Sequence, residues 1–262
     1  SPATKYDRHI PLLSLPLLMK TTLDKVPAHI PYLQADPERT AAWHDRVAAG
    51  GLRVGLVWSG SNTDPQRACR LADWRPWWAN TRTHFYSLQK GAAADQAGSL
   101  DDAQSIVQLG EALADFSDTA AAIANLDLII TVDTAVAHLA RAMGKPVWVL
   151  LPFVPDWRWL LDRSDSPWYP TARLFRQTQS NDWAAVVADV DAALKVLIGQ
   201  MEADDTVPVA MGDKGVPVAG PQARAHFEEG VSKSDAGDFS AAVKAFQQAI
   251  SSHPGWAEAH FE

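Results

Sequence analysis

Leu128-Ile129-Ile130-Thr131-Val132-Asp133-Thr134-Ala135-Val136-Ala137-His138-Leu139-Ala140 changes its rhythm in the middle. The first five residues are continuously apolar or β-branched, as in a strand covered on both faces. From Thr134 to Met143, ahead of Gly144, the pattern becomes helical. A strand that passes into a helix within two residues leaves the first helical amides, those of Ala135 and Val136, without intrahelical partners, while Asp133 or Thr134 can cap the helix. Such a turn suits an anion, because the helix dipole and the free donors favour negative charge together. His138 stands one turn after Thr134 on the same face. The same spacing also fits a capped helix with a core histidine. The small residues Ala135 and Ala137, which leave the backbone open to a ligand, weigh toward a site.

Outward from this segment, apolar runs alternate with helical stretches. Strands are expected at 53–58, 84–88, 105–109, 128–132, 147–151 and 173–176. Helices are expected at 120–126 after Asp118-Thr119, at 134–143, and from Trp183, where Val186, Val187, Val190, Leu194 and Leu197 share one face. This alternation predicts an α/β domain with a doubly wound, mostly parallel sheet. In such sheets ligands bind outside the carboxyl ends of the strands, where the strand order reverses. If the first and fourth strands are neighbours, the loop 58–62 and the turn 133–138 face one crevice.

The first loop offers Ser59 and Gly60, followed by Ser61 and Asn62, as polar groups around a flexible backbone. Arg67 and Arg70 follow it, and Gln89-Lys90-Gly91 follows the second strand. These groups are placed to offset an anion, or they are solvated surface charge. After the fifth strand come Phe153, Asp156, Trp157 and Arg158, with Trp159, Trp168 and Tyr169 beyond. Aromatic rings beside an arginine and acids suit stacking on a sugar or base. They suit a hydrophobic interdomain seam equally well, and Trp74, Trp77 and Trp78 leave the same choice open.

The chain of 262 residues carries 31 acidic and 23 basic residues, a net charge of −8, and lacks the broad basic surface that nucleic acid or anionic lipid requires. A single cysteine, Cys69, builds neither an internal disulfide nor a multi-thiolate metal site. No metal ligand set is expected; Asp189 and Asp191 fall on a helix, where two positions apart means divergence of about 200°. There is no dinucleotide glycine fingerprint and no phosphate-binding Gly-Lys-Ser/Thr loop. The longest apolar run is far short of the ~20 residues of a membrane span, so a cytoplasmic protein is expected.

Four zones are expected: a proline-punctuated connecting segment at 1–50, with a short helix started by Asp36-Pro37; the α/β domain at 51–201; a mobile linker at 202–222; and a repeat module at 223–262. Ala223-Arg224-Ala225-His226-Phe227-Glu228 returns as Ala257-Glu258-Ala259-His260-Phe261-Glu262. The 34-residue spacing is the tetratricopeptide period, and Gly230, Gly237, Phe239, Ala242, Phe246, Ala249 and Pro254 agree with its interior. One unit and the start of a second predict an α-helical hairpin.

Taken in order, Trp58-Ser59-Gly60, Ser87-Leu88-Gln89-Lys90-Gly91, Asp115-Phe116-Ser117-Asp118-Thr119-Ala120, Thr131 to Leu139 and Leu151 to Trp159 resemble the carboxyl-terminal half of bacterial tetratricopeptide-repeat glycosyltransferases, relatives of the heptosyltransferases (glycosyltransferase family 9-like). The resemblance spans roughly residues 6 to 200. It implies one Rossmann-like half of a GT-B fold, a nucleotide-diphosphate sugar as donor substrate, no cofactor, and no metal. Carried onto this chain, Asp133, Thr134, Ala135 and His138 would hold the diphosphate and neighbouring sugar hydroxyls. Gln89 and Lys90 would lie near the nucleoside or phosphates, and Arg67 or Arg70 would be the basic residue after the first strand. Phe153, Asp156, Trp157 and Arg158 would meet sugar or acceptor. The catalytic base and acceptor site would belong to an amino-terminal domain of which residues 1–50 are the trailing edge. The repeat module would contact a protein partner or acceptor. The competing expectation is a non-catalytic, repeat-containing scaffold.

Overall fold

The computed structural model describes residues 8–47, 50–60, 65–100 and 106–206, together with Ala225, His226, Glu229, Ser232, Lys233, Ala241, Lys244, Ala245 and Gln248. Six strands, β1 (Leu52–Val57), β2 (Thr83–Ser87), β3 (Ile106–Gln108), β4 (Leu128–Val132), β5 (Val147–Leu151) and β6 (Ala172–Arg176), form one parallel sheet in the order β3-β2-β1-β4-β5-β6. The chain builds outward from β1 to β3, then returns to lay β4 on the other side of β1. Leu56 thus sits between Ser87 and Ile130. All residues of β4 and β5 are buried, which is why these strands are apolar throughout instead of alternating. The six expected strands are present, with ends moved by a residue or two.

The helices are α1 (Leu15–Leu18), α2 (Pro37–His44), α3 (Asp95–Gly98), α4 (Phe116–Ala124), α5 (Ala135–Ala142) and α6 (Trp183–Thr206). Asp36 caps α2 by accepting the Arg39 amide at 2.9 Å. Helix α4 begins one turn before the expected start, because Asp115 rather than Asp118 is its cap, accepting the Asp118 amide at 2.9 Å. Asp182 accepts the Ala185 amide at 3.1 Å and starts α6. That helix runs on to Thr206, into the segment expected to be linker from 202. Residues 202–206 hold neither glycine nor proline, and the first breaker is Pro208.

The chain divides into two compact units, 1–198 and 199–262. Segment 8–47 is therefore more than a connection. Trp43 and Val47 are buried in the same core cluster as Leu88, Ile123 and Ile129. Asn125 ties α2 to α4 by donating to the carbonyls of Thr40 (2.9 Å) and Ala121 (3.0 Å). Trp74 and Trp77 are fully buried, and the Trp77 indole donates to the Val187 carbonyl at 3.1 Å. These two rings are core of the α/β unit itself, placed neither at an interdomain seam nor open to a ligand. Asp189 is exposed and Asp191 pairs with Lys195 at 2.6 Å, a solvated helix face. The residues described in the second unit are helical; of those that carry the 34-residue repeat only Ala225 and His226 are among them, and the second copy lies outside the described residues.

Candidate functional site

The reversal of strand order falls between β1 and β4, and a cavity of about 580 Å³ opens at their carboxyl ends. Ser59 and Gly60 line it from the loop after β1, Gln89 and Lys90 from the loop after β2, and Thr134, Ala135 and His138 from the amino end of α5. Asp133, Arg67 and Arg158 complete its polar wall.

At the turn itself, Thr134 has extended backbone (φ −135°, ψ 167°) and occupies the cap position of α5. Its side chain makes no capping bond. The hydroxyl pairs instead with that of Thr131, at 2.9 Å. The first amides of α5 are thereby left for another acceptor, at the positive end of the helix dipole.

Two arginines and two aspartates surround this end. Asp133, with only 4% of its side chain exposed, lies 3.4 Å from Arg67 Nη1 through Oδ2 and 3.9 Å from His138 Nε2 through Oδ1. Asp133 Oδ2 nevertheless accepts no hydrogen bond among the described residues. Asp156 caps the short turn Trp157–Trp159 and binds Arg158 through Nε at 2.8 Å, while Arg67 Nη2 reaches its other oxygen at 3.4 Å. The Asp156 carboxylate does not line the cavity; it holds both guanidinium groups in place.

His138 is half-buried, with 30% of its side chain exposed. Its ring stacks on Trp159 (5.7 Å between centroids, 18° between planes), and Nε2 lies 3.4 Å from Arg158 Nη1. Burial, with Arg141 and Arg158 adding to it, pushes the imidazole down to about 4 against the weaker opposing pull of Asp133. His138 is thus neutral near pH 7. A guanidinium only donates, so Nε2 is the accepting nitrogen and Nδ1 carries the proton.

Gln89 lines the cavity, yet its amide is occupied. Its oxygen accepts the amides of Trp58 (3.1 Å) and Ser59 (2.9 Å), and its nitrogen donates to the carbonyls of Ser59 (3.1 Å) and Lys90 (3.0 Å). The residue latches the first loop. Lys90 donates to the Leu113 carbonyl and lines the cavity wall.

Some sequence candidates stand elsewhere. Arg70 pairs with Asp73 at 2.8 Å and points to solvent, outside the cavity. Phe153 is half exposed and lines no cavity wall beside Thr134, and Trp157 belongs to a separate cleft. Conversely, Phe116 and Thr119, from the first turn of α4, line the cavity; both belong to the stretch Asp115–Ala120 that carries the family resemblance, which gave them no role. Phe116 is 63% exposed, a fact that no local sequence pattern announces. Gly60 needs no special backbone: a Cβ there would meet only the Asp133 carbonyl at 3.6 Å and Thr134 Cγ2 at 3.7 Å.

A larger groove, about 700 Å³, lies between segment 31–44 and the carboxyl ends of α4 and α5. It lacks converging charge, since the Lys145 ammonium is occupied by the carbonyls of Ala124 (2.7 Å) and Leu126 (2.9 Å). Among the described residues no three His, Cys, Asp or Glu side chains are placed to hold a metal ion, and no helix is long and apolar enough to cross a membrane.

Comparison with known proteins agrees with this architecture. The chain is similar to Protein FlbA of Caulobacter vibrioides, 28% identical over 186 residues that make up 68% of this chain and 31% of that protein. It thus spans about a third of the curated relative it matches. The structure of E. coli ADP-heptose lps heptosyltransferase II superposes with a TM-score of 0.51 at 18% identity, covering 67% of this chain and 56% of that one. The glycosyl transferase family 9 structure from Veillonella parvula DSM 2008 gives 0.50 at 12% identity, covering 75% and 63%. At such identities the shared property is the fold. Residues 94–151, which carry β3, α4, β4, α5 and β5 and with them the turn at Asp133–His138, match the model of glycosyltransferase family 9 (heptosyltransferase).

Proposed function

We propose that the cavity at the β1–β4 switch point holds the diphosphate of a nucleotide sugar, and that this chain is the donor-binding half of a glycosyltransferase that moves a sugar to an acceptor hydroxyl or amide. The observation that carries this reading is the convergence of the α5 amino end, Arg67, Lys90 and Arg158 on one cavity. The family match over the same turn supports it.

Charge develops on the leaving diphosphate as the bond to the sugar breaks. Donors already fixed around that position stabilise it without reorganisation, which is where most electrostatic catalysis arises. The amides of Ala135 and Val136 and the two arginines have that character. His138, being neutral, serves as a hydrogen-bonding group rather than a counter-charge. A carboxylate only accepts, so Asp133 suits a sugar hydroxyl better than a phosphate. The acceptor site and catalytic base would come from outside these residues. In this reading the α/β unit, with segment 8–47 packed into its core, is the donor domain, a linker follows α6 after Thr206 and extends to 222, and 223–262 are a tetratricopeptide module that meets a protein partner.

Calorimetric titration with UDP-, ADP- and GDP-sugars tests the proposal. Saturable binding of at least one donor is expected. Thr134→Ala and His138→Ala should each weaken it, with helix content retained. No saturable heat with any donor, under conditions that detect millimolar binding, would favour a non-catalytic scaffold instead.

A further inference from the structure

Arg141, in the last turn of α5, is a fully buried cation without a counter-charge. Its Nη1 and Nη2 find no hydrogen-bond acceptor among the described residues, and only Nε is used, donating to the Ala137 carbonyl at 2.8 Å. We infer that Arg141 is a positioning residue for the diphosphate cavity: without lining that cavity, its guanidinium fixes the imidazole of His138 through two aromatic rings that both side chains share. The inference rests on the donor reading above.

Taking a charge out of water is costly unless the interior repays it. A helix end gives no reason for the burial, because a cation in the last turn complements the dipole from an exposed position as well. What the interior offers Arg141 is two ring faces. Its guanidinium carbon lies 4.2 Å from the centre of the Trp159 ring and 4.5 Å from that of Tyr169, both within reach of a cation–π contact. Burial pushes the guanidinium down to about 10, so it keeps its charge at pH 7. The same two rings flank His138, one helical turn earlier on α5. Trp159 stacks on the imidazole (5.7 Å, 18°), and Tyr169 meets it at a tilt (6.0 Å, 54°).

Each ring is tied to a different part of the fold. Arg176 of β6 donates to the carbonyls of Leu160 (3.0 Å) and Arg163 (2.7 Å), pinning the loop that follows Trp159. The Tyr169 hydroxyl lies 3.5 Å from that of Tyr32, and the amides of Tyr32 and Leu33 both donate to the Ala142 carbonyl, at 2.9 and 3.0 Å. Arg141 is thus wedged between two rings held from outside α5, and His138 takes its place from the same rings. Its Nε2 then stands 3.4 Å from Arg158 Nη1 and 3.9 Å from Asp133 Oδ1, at the wall of the diphosphate cavity.

The experiment uses the whole chain with Arg141→Met, which removes the charge at similar length, and Arg141→Lys, which keeps a cation between the rings. UDP, ADP and GDP are titrated by calorimetry, and the His138 ring is followed by NMR. Urea unfolding of Arg141→Met should be unchanged or moved to higher denaturant, because an apolar side chain of similar volume commonly replaces a buried charge without loss. Its affinity for the diphosphate that the parent binds should nevertheless fall about tenfold. The His138 midpoint should rise, since Arg141 and Arg158 repel its proton, Asp133 and Asp156 attract it, and the Tyr169 phenol, pushed up to about 12, is neutral. Arg141→Lys should recover part of both losses. Parental affinity in Arg141→Met, or a weaker one with an unmoved His138 midpoint, overturns the role of Arg141 while the donor site stands. Equal falls in affinity and unfolding midpoint for both variants overturn it too, as the mark of a side chain that only fills space. A parent chain that binds none of the three diphosphates overturns the donor reading, and this role with it.

Discussion

Nε2 of His138 lies 3.4 Å from Nη1 of Arg158, so a half-buried imidazole faces a guanidinium at the boundary between the cavity at Thr134 and the cleft at Trp157. That contact forbids a proton on Nε2 and helps keep the ring neutral. It also makes Arg158 the group that both cavities have in common with His138.

The first prediction is a pH effect. Folding pushes the His138 imidazole down to about 4 from an unfolded value near 6.5. Between these values the unfolded chain binds more protons, so this residue's contribution to stability is intact above about pH 6.5 and is lost as the pH falls toward 4. Ring signals in NMR should titrate near the lower value. Arg158→Gln should raise the midpoint by removing a like charge. A midpoint close to 6.5 in the parent chain would mean that the ring is solvated.

Gln89 should matter more for the loop than for ligand chemistry. Gln89→Leu removes the acceptor of the Trp58 and Ser59 amides, and an unpaired buried group costs about 1–3 kcal/mol. Urea unfolding should register that loss, and hydrogen exchange at Ser59 should accelerate. Unchanged exchange would show that the loop holds itself.

Two glycines make a matched pair. A Cβ at Gly110 would lie 2.0 Å from the Gln89 carbonyl oxygen, a backbone atom that cannot step aside cheaply. At Gly98, inside α3, a Cβ meets nothing within 4 Å. Gly110→Ala should destabilise by about 1–3 kcal/mol or more through overpacking. Gly98→Ala should be neutral or stabilising by up to about 1 kcal/mol. Equal midpoints for the two in denaturant would contradict the packing at Gly110.

Trp43 tests whether segment 8–47 belongs to the α/β unit. The side chain is 6% exposed within the core cluster, and removing a buried aromatic of this size costs about 3–5 kcal/mol. Trp43→Ala should lower the unfolding midpoint of the sheet itself, seen by circular dichroism. A loss confined to the segment, with the sheet unaffected, would restore it to a mere connection.

Local pattern carried much of this molecule into view. The continuous apolar runs at 128–132 and 147–151 announce strands buried on both faces, and the Val132–Ala135 junction announces a helix starting where a strand stops. Of Val186, Val187, Val190, Leu194 and Leu197, the expected inner face of α6, the first four are buried, while Leu197 is half-buried and Ile198 is buried beside it. These features were legible because periodicity reports which side of an element meets the core, and that is set by neighbours a few residues away. The start of α4 was less legible, since Asp115 and Asp118 are both competent caps and only packing chose between them.

What the sequence by itself determined is the alternation of strand and helix, the polar turn after β4, and the kinds of side chain available near it. Tertiary structure alone decided which of them meet. Arg67 turns toward Asp133 and Asp156, whereas Arg70, three residues on, turns to solvent with Asp73. Phe116 and Thr119 reach the cavity from another crossover, and Arg141 disappears between Trp159 and Tyr169. The physical reason is that strand order and loop course bring together groups from 20 to 100 residues apart, roughly the reach of the crossovers in a doubly wound sheet. No local period records that meeting.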